Sequence, residues 1–531
     1  MGKILKVISH RMFIVSLLIL LQISWVLVLF FRFTTYSQYI TIGLRILSIL
    51  VVIGIMNQSS NPTVKLAWII VILLIPLFGG MLYLFLSGKR PVRTMRKKLQ
   101  PSIDESCSYL VYDRTIQEEL YQKDVRAAGQ VYYLEKQSGF PAGRGSGASY
   151  YPRGEECFEA MLEDLERAEH FIFLEYFIIE EGIMWNSVLK ILERKVQQGV
   201  DVRVMYDDVG SALVLSYRYD RILREKGIKC VVFNRYIPIF STIFNNRDHR
   251  KILVIDGRVA YTGGINFADE YINQKQRFGY WKDDGVRISG PAVHNMTIMF
   301  LQMWNAFSDD KLDYSLFSAD ITQKNLPAVR PVHTDHDRDS GRSLHKETDR
   351  EGIILPYADH PLDKEYVGEN VYLNLINTAV HYIYFFTPYL IIDNELATAL
   401  ILAAKRGVDV KIITPGIPDK KIVFLVTQSY YPQLVEGGVK IYQFRPGFVH
   451  SKCVVSDDLF AVAGTINLDY RSLIHHFENG VFFYKCQVVH EIRQDVEETL
   501  EYCTLITPAL CRKNLFFKLL QGILRIFSPL L

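Results

Sequence analysis

The chain opens with long apolar runs and then settles into short ones. Residues 12–31 carry no charge; at about 1.5 Å per helical residue such a run is long enough to cross a bilayer. Residues 66–86 form a second uncharged run, with Trp68 and Tyr83 near its ends, where amphipathic rings favour a membrane interface. Between them, residues 40–56 are apolar apart from Arg45, a charge close enough to one end to snorkel. The pattern predicts two or three transmembrane helices within residues 1–90.

Farther on, apolar runs of strand length alternate with helical spacing. Residues 170–179, 201–206 and 229–233 read as strands, and 185–198 as a helix. The order returns later, with strands at 382–388, 409–413 and 438–442 and a helix at 394–405. Alternation of this kind predicts an α/β fold with crossover units: mixed, mainly parallel sheets with helices on both faces. Local repeats support a duplication: Gly199-Val200-Asp201-Val202 matches Gly407-Val408-Asp409-Val410, and Gly227-Ile228-Lys229 matches Gly438-Val439-Lys440. A spacing near 200 residues means a duplicated domain, not a solenoid. The expected division is a membrane region at 1–90, a basic juxtamembrane linker at 91–128, a first domain at 129–322, a polar linker at 323–352 and a second domain at 353–511. Residues 512–531 complete it as an amphipathic helix with Asn514, Lys518, Gln521 and Arg525 on one face, suited to lie on lipid.

Composition narrows the chemistry. A formal net charge of +3, with 22% charged residues, provides no broad basic field for nucleic acid. Lys89, Arg90, Arg93, Arg96, Lys97 and Lys98 come directly after the last apolar run; by the positive-inside rule they place the downstream chain in the cytoplasm. Seven scattered cysteines without a CxxC pair argue against a disulfide framework and a zinc site. His333, His336 and His345 sit in the polar linker and read as solvated. No metal or cofactor is expected.

Two copies of one short pattern carry the functional signal. The first is His249-x-Lys251, then Asp256, then Gly263-Gly264-Ile265-Asn266; the second is His450-x-Lys452, then Asp457, then Gly464-Thr465-Ile466-Asn467. On a strand, residues two apart share a face about 6.6 Å from each other, so His and Lys can meet one phosphate. The paired set suits phosphodiester chemistry without a metal. One neutral imidazole attacks phosphorus while a second, protonated, donates to the leaving alkoxide; their pKa values must then be pushed apart. Lys251, Lys452, Asn266 and Asn467 are expected to stabilise the phosphate oxygens, and Glu478 and Asp283 to orient the imidazoles. Asp256 and Asp457 complete the catalytic motifs and are expected to act indirectly, tying strand to loop.

These motifs resemble the phospholipase D superfamily signature, HxK(x)4D followed by GSxN or a variant. The resemblance implies tandem domains whose two motifs meet at a pseudo-twofold interface. Glu478 falls where that family has an acidic residue after the second motif. Gly264 and Thr465 stand where serine is commonest. A narrower similarity is to bacterial cardiolipin synthases, through Asn61-Pro62-Thr63, Tyr206-Asp207-Asp208-Val209-Gly210, Phe278-Gly279-Tyr280-Trp281-Lys282-Asp283, Phe386-Thr387-Pro388-Tyr389 and the ending Ser528-Pro529-Leu530-Leu531. It implies transfer of a phosphatidyl group from one phosphatidylglycerol to another through a phosphohistidine, with His249 taken as nucleophile and His450 as acid and base and the reverse assignment left open by the sequence. It further implies membrane lipids as partners, a multi-pass location in the bacterial cell membrane and no nucleic acid. A membrane-bound phospholipase D that hydrolyses phospholipids is the alternative, and a nuclease of the same superfamily, disfavoured by the near-neutral charge, comes after it.

Overall fold

The computed structural model describes residues 38–58, 61–74, 90–235, 246–317 and 352–528, with isolated positions at 20, 24, 27, 28, 79, 80 and 83. The run at 12–31 and the polar linker at 323–352 lie essentially outside the described residues. The chain divides into two compact units: Met1–Arg96, Asn234–Asn246 and Asn514–Leu531 form one, and Lys97–Phe233 with Arg247–Lys513 the other.

In the smaller unit, helix Gln38–Met56 packs on helix Pro62–Leu74. Val51, Ile55, Ile72 and Tyr83 form a small core, and Trp68 meets Tyr83 edge to face at 5.3 Å. Among the described residues no helix is long and apolar enough to cross a membrane. The C-terminal helix, Leu515–Phe527, is capped by Asn514, whose side chain accepts from Phe517 N. It buries Gln521 and leaves Leu515, Phe516 and Leu519 exposed.

The larger unit is built on two sheets. The strands of the first half are β1 (Gly147–Tyr151), β2 (Phe171–Tyr176), β3 (Asp201–Asp207), β4 (Lys229–Phe233), β5 (Lys251–Ile255), β6 (Val259–Gly263), β7 (Tyr280–Lys282) and β8 (Gly285–Ser289). Seven of them form one sheet in the order β1-β8-β6-β5-β2-β3-β4. The second half supplies β9 (Ile353–Asp359), β10 (Tyr382–Phe386), β11 (Leu390–Ile391), β12 (Asp409–Pro415), β13 (Lys440–Phe444), β14 (Gly447–Val449), β15 (Cys453–Ser456), β16 (Phe460–Gly464), β17 (Leu468–Asp469), β18 (Glu478–Tyr484) and β19 (Cys503–Leu505). Its sheet runs β19-β13-β12-β10-β15-β16-β18-β9. The shared core order, β5-β2-β3-β4 against β15-β10-β12-β13, is the duplication in three dimensions. Every residue of β2, β5 and β10 is buried, as strands covered on both faces must be.

The sheets are mixed, but the expectation that they are mainly parallel is corrected. Within these two sheets, among the described residues, only β2-β3-β4 and β10-β12-β13 pair in parallel; the other neighbours are antiparallel. The cause is local. Crossover helices, such as Ile183–Gln197 between β2 and β3, end after the third strand of each half. The next strands then turn back as tight hairpins. At the first, Asp256 (φ 53°) and Gly257 (φ 64°) occupy the centre of a turn closed by Arg258 N donating to Ile255 O. At the second, Asp457 and Asp458 (both φ 56°) do the same, with Leu459 N donating to Ser456 O. Two consecutive left-handed residues are the type I′ geometry that matches strand twist, and Asp tolerates it well.

Candidate active site

Each motif aspartate is thus a turn residue, and its carboxylate has a second task. Asp256 accepts from the backbone N–H groups of Glu169, His170 and Phe171 at 2.8 Å each. Asp457 accepts from Val380, His381 and Tyr382 at 2.8, 2.8 and 3.0 Å. The hairpin end is therefore bolted to the start of the adjacent central strand, β2 or β10.

Each histidine lies just before its strand, not on it as the alternation suggested: β5 begins at Lys251 and β15 at Cys453. The segments carrying the histidines pair across the two halves. β14 runs parallel to β7, and His450 N donates to Lys282 O at 2.7 Å. Symmetrically, His249 N donates to Phe477 O at 2.9 Å. This crossing brings each imidazole to a carboxylate from the opposite half. His249 Nδ1 lies 2.9 and 3.0 Å from the two oxygens of Glu478, and His450 Nδ1 lies 2.8 Å from Asp283 Oδ2. Gly264 packs against the His450 carbonyl: a Cβ built there would come within 2.9 Å of its oxygen. The two motifs form one centre.

Glycine and threonine at the matched positions 264 and 465 explain how the two carboxylates are held differently. Thr465 donates its hydroxyl to Glu478. A Cβ at Gly264 would stand 1.9 Å from Asp283 Oδ1, so no hydroxyl-bearing side chain fits. Asp283 is held by the Trp281 indole N–H at 3.2 Å and the Asp284 N–H at 3.0 Å. The surroundings differ too. Tyr271, Trp281 and Phe448 pack around His450, while Phe177 and His476 flank His249.

Both lysines are buried. Lys251 Nζ donates to His249 O at 2.7 Å, and Lys452 Nζ donates to His450 O. Asn266 is engaged at both ends, accepting from Ile178 N and donating to Tyr271 Oη. Asn467 donates to Asp469, and its Oδ1 is buried without a partner.

Burial dominates the electrostatics. It pushes His249 down to about 3 against the pull of Glu478, and His450 down to about 4, helped by Lys452 and opposed by Asp283. It pushes Lys251 to about 7 and Lys452 to about 8. Burial works the other way on the carboxyls, yet His249 holds Glu478, and His450 holds Asp283, below the ordinary range. The two imidazoles are therefore depressed together. They are not pushed apart, because both are buried beside a lysine.

His476 escaped the sequence reading. It precedes Glu478 by two residues, the spacing at which extended chain presents both on one side, and that was the available signal. Its ring centroid is 5.3 Å from that of His249.

Residues 161–304 and 372–500 match the family described as cardiolipin synthase, PLD-like domain, and residues 46–88 match phospholipase D-nuclease N-terminal. The chain is 44% identical over 481 residues to an uncharacterized protein of Streptococcus mutans, covering 90% of this chain and 99% of that one. It is 32% identical over 492 residues to a cardiolipin synthase of Geobacillus kaustophilus, covering 91% and 92%. Among solved structures, a phosphatidylserine synthase of Haemophilus influenzae shares the fold at TM-score 0.54 and 15% identity, covering 72% of this chain and 93% of that one.

Proposed function

The chain belongs to the cardiolipin synthase, PLD-like domain family, and from that premise we propose that it makes cardiolipin by transfer between two phosphatidylglycerols. The observation that carries the reading is the crossed pairing of His249 with Glu478 and His450 with Asp283, which prepares two imidazoles for two different tasks at one centre.

In the first step His249 Nε2 attacks the phosphorus of phosphatidylglycerol. A nitrogen–phosphorus bond forms, the bond from phosphorus to the headgroup glycerol oxygen breaks, and His450 gives that oxygen its proton. Glycerol leaves. In the second step a hydroxyl of another phosphatidylglycerol headgroup attacks the phosphohistidine, returns its proton to His450 and releases His249. Glu478 and Asp283 fix the Nδ1–H tautomers and keep each Nε2 free, the role of the carboxylate in a hydrolase triad. Lys251 and Lys452, with Asn266 and Asn467, face the phosphate oxygens. Burial depresses both histidines, and the charge of the anionic substrate near His450 favours the imidazolium there. Asp256 and Asp457 act by holding the hairpins.

Transfer to lipid instead of water requires the site to stand at a membrane. Residues 12–31, 40–56 and 66–86 are the proposed anchors in the cell membrane, with the basic cluster at 89–98 on the cytoplasmic side. The exposed Ile42, Ile46, Ile49 and Ile53 of helix Gln38–Met56 and the exposed apolar residues of helix Leu515–Phe527 suit contact with lipid.

The test is purified full-length protein in bilayers with labelled phosphatidylglycerol, scored for cardiolipin, phosphatidic acid and glycerol. Cardiolipin and glycerol in equal amounts are expected. Phosphatidic acid as the main product identifies a hydrolase and overturns the synthase reading.

A further inference from the structure

The centre holds a third imidazole, with no counterpart beside His450 among the described residues. His476 is buried, at 8% exposure, and among the described residues its Nε2 has no hydrogen-bond partner. Its Nδ1 stands 3.5 Å from Glu478 Oε1, close enough for charge attraction and too far for a good hydrogen bond. Its ring lies beside the His249 ring, tilted by 42°. A buried ring nitrogen without a partner is destabilising, and such a group in a native structure calls for an explanation such as a ligand. Asn467 Oδ1 is a second buried unpartnered atom at the same centre.

We propose that His476 is a third phosphate-binding imidazole, donating a ring N–H to a non-bridging oxygen of the phosphodiester that His249 attacks. This role deepens the proposed function and rests on it only in taking a phosphodiester as the ligand. Three features favour an anion. A phosphorus bonded to His249 brings its oxygens toward the neighbouring imidazole. Lys251 and Lys452 already make the space attractive to negative charge. Nδ1 faces Glu478, which leaves the buried Nε2 as the ring nitrogen available to the ligand. The competing occupant is a divalent cation, since His249, His476 and Glu478 offer ligand atoms within 4.8 Å of one another; the two lysines oppose it.

The experiment measures inhibition of the full-length enzyme by inorganic phosphate at one fixed pH, with direct phosphate binding followed by calorimetry. Its readout is anion affinity, so it stands whichever lipid product the enzyme makes. His476→Ala should weaken phosphate about tenfold, the size of one charge-assisted hydrogen bond, with an unchanged melting transition. His476→Gln, which keeps an N–H donor, should recover most of the loss. If His476→Ala does not fold, His476→Gln against His476→Phe decides: the first should bind phosphate and the second should not. Phosphate affinity within about twofold of wild type in the folded apolar variants overturns the proposal. So does chelator-reversible zinc binding that depends on His476 while phosphate affinity does not.

Discussion

Glu478 Oε1 lies 2.9 Å from His249 Nδ1, although 229 residues separate the two in the chain. The carboxylate just after the second motif orients the histidine of the first. The reverse holds for Asp283 and His450, 167 residues apart at 2.8 Å. Neither half owns a complete imidazole–carboxylate pair, so neither half alone orients its own imidazole. Glu478→Gln and Asp283→Asn should each lower kcat by about 10²–10⁴-fold, as loss of the correct tautomer does in a hydrolase triad. Rapid-quench detection of the phosphoenzyme separates them: Glu478→Gln should slow its formation. A carboxylate variant with near wild-type kcat contradicts the crossed arrangement.

The histidines themselves should tolerate nothing. In the proposed mechanism His249 is the nucleophile and His450 the acid, so His249→Ala and His450→Ala should each abolish turnover. The double variant should be no worse than either single one, because groups that act as a unit are not additive. Initial rates with labelled phosphatidylglycerol check this, and substantial residual turnover in either single variant refutes it.

Gly264 offers a sharper test than any charged residue. A methyl there would overlap Asp283 Oδ1 at 1.9 Å. Gly264→Ala should therefore push Asp283 away from His450 and lower kcat by about as much as Asp283→Asn. Thr465→Ser keeps the hydroxyl that holds Glu478 and should stay within a few-fold of wild type. Parallel kcat measurements of the three variants read the comparison.

The lysines predict a pH dependence of binding. Buried at about 7 and 8, Lys251 and Lys452 are charged below those values and lose their protons as pH rises through them. A soluble dialkyl phosphodiester keeps its single negative charge over that range. Its inhibition constant should rise as pH climbs from about 6 to about 9, tracking loss of the cations that hold it. In Lys251→Met the rise should shrink. A pH-independent inhibition constant in the wild type rules out a binding role for either lysine as a titrating cation.

The motif aspartates should separate from the chemistry. Asp256→Ala leaves three backbone N–H groups without their acceptor and puts alanine at φ 53°. A loss of at least about 2 kcal/mol is expected from the unpaired donors and the left-handed backbone. Denaturant unfolding measures the loss. The folded fraction should keep kcat within a few-fold, and a large fall in kcat without loss of stability would show direct participation in the reaction.

How much of this was legible in the sequence depends on the range of the cause. Local causes were readable. Strand β4 falls on residues 229–233 and the helix Asn394–Lys405 on 394–405, as their patterns predict, because alternation and helical spacing record which face each residue buries. The duplication was readable from matched Gly-Val-Asp-Val and Gly-x-Lys segments, and the paired chemistry from His-x-Lys with Asp and Asn at repeated spacings. Strand direction was not. Parallel and antiparallel neighbours are written in almost the same residues, and only the hairpins at Asp256-Gly257 and Asp457-Asp458 reverse the chain. Which carboxylate meets which histidine was equally invisible: Glu478 and Asp283 could be named as candidates, but their crossing arises from β14 pairing with β7 and from Phe477 O accepting from His249 N. The joint depression of both histidines likewise depends on burial, which no spacing reveals. The sequence by itself determined many of the elements, the repeat and the candidate reacting groups, since those are set by residues near one another in the chain. The tertiary structure decided partnership, set by groups more than 150 residues apart, and protonation, set first by burial in one low-dielectric site.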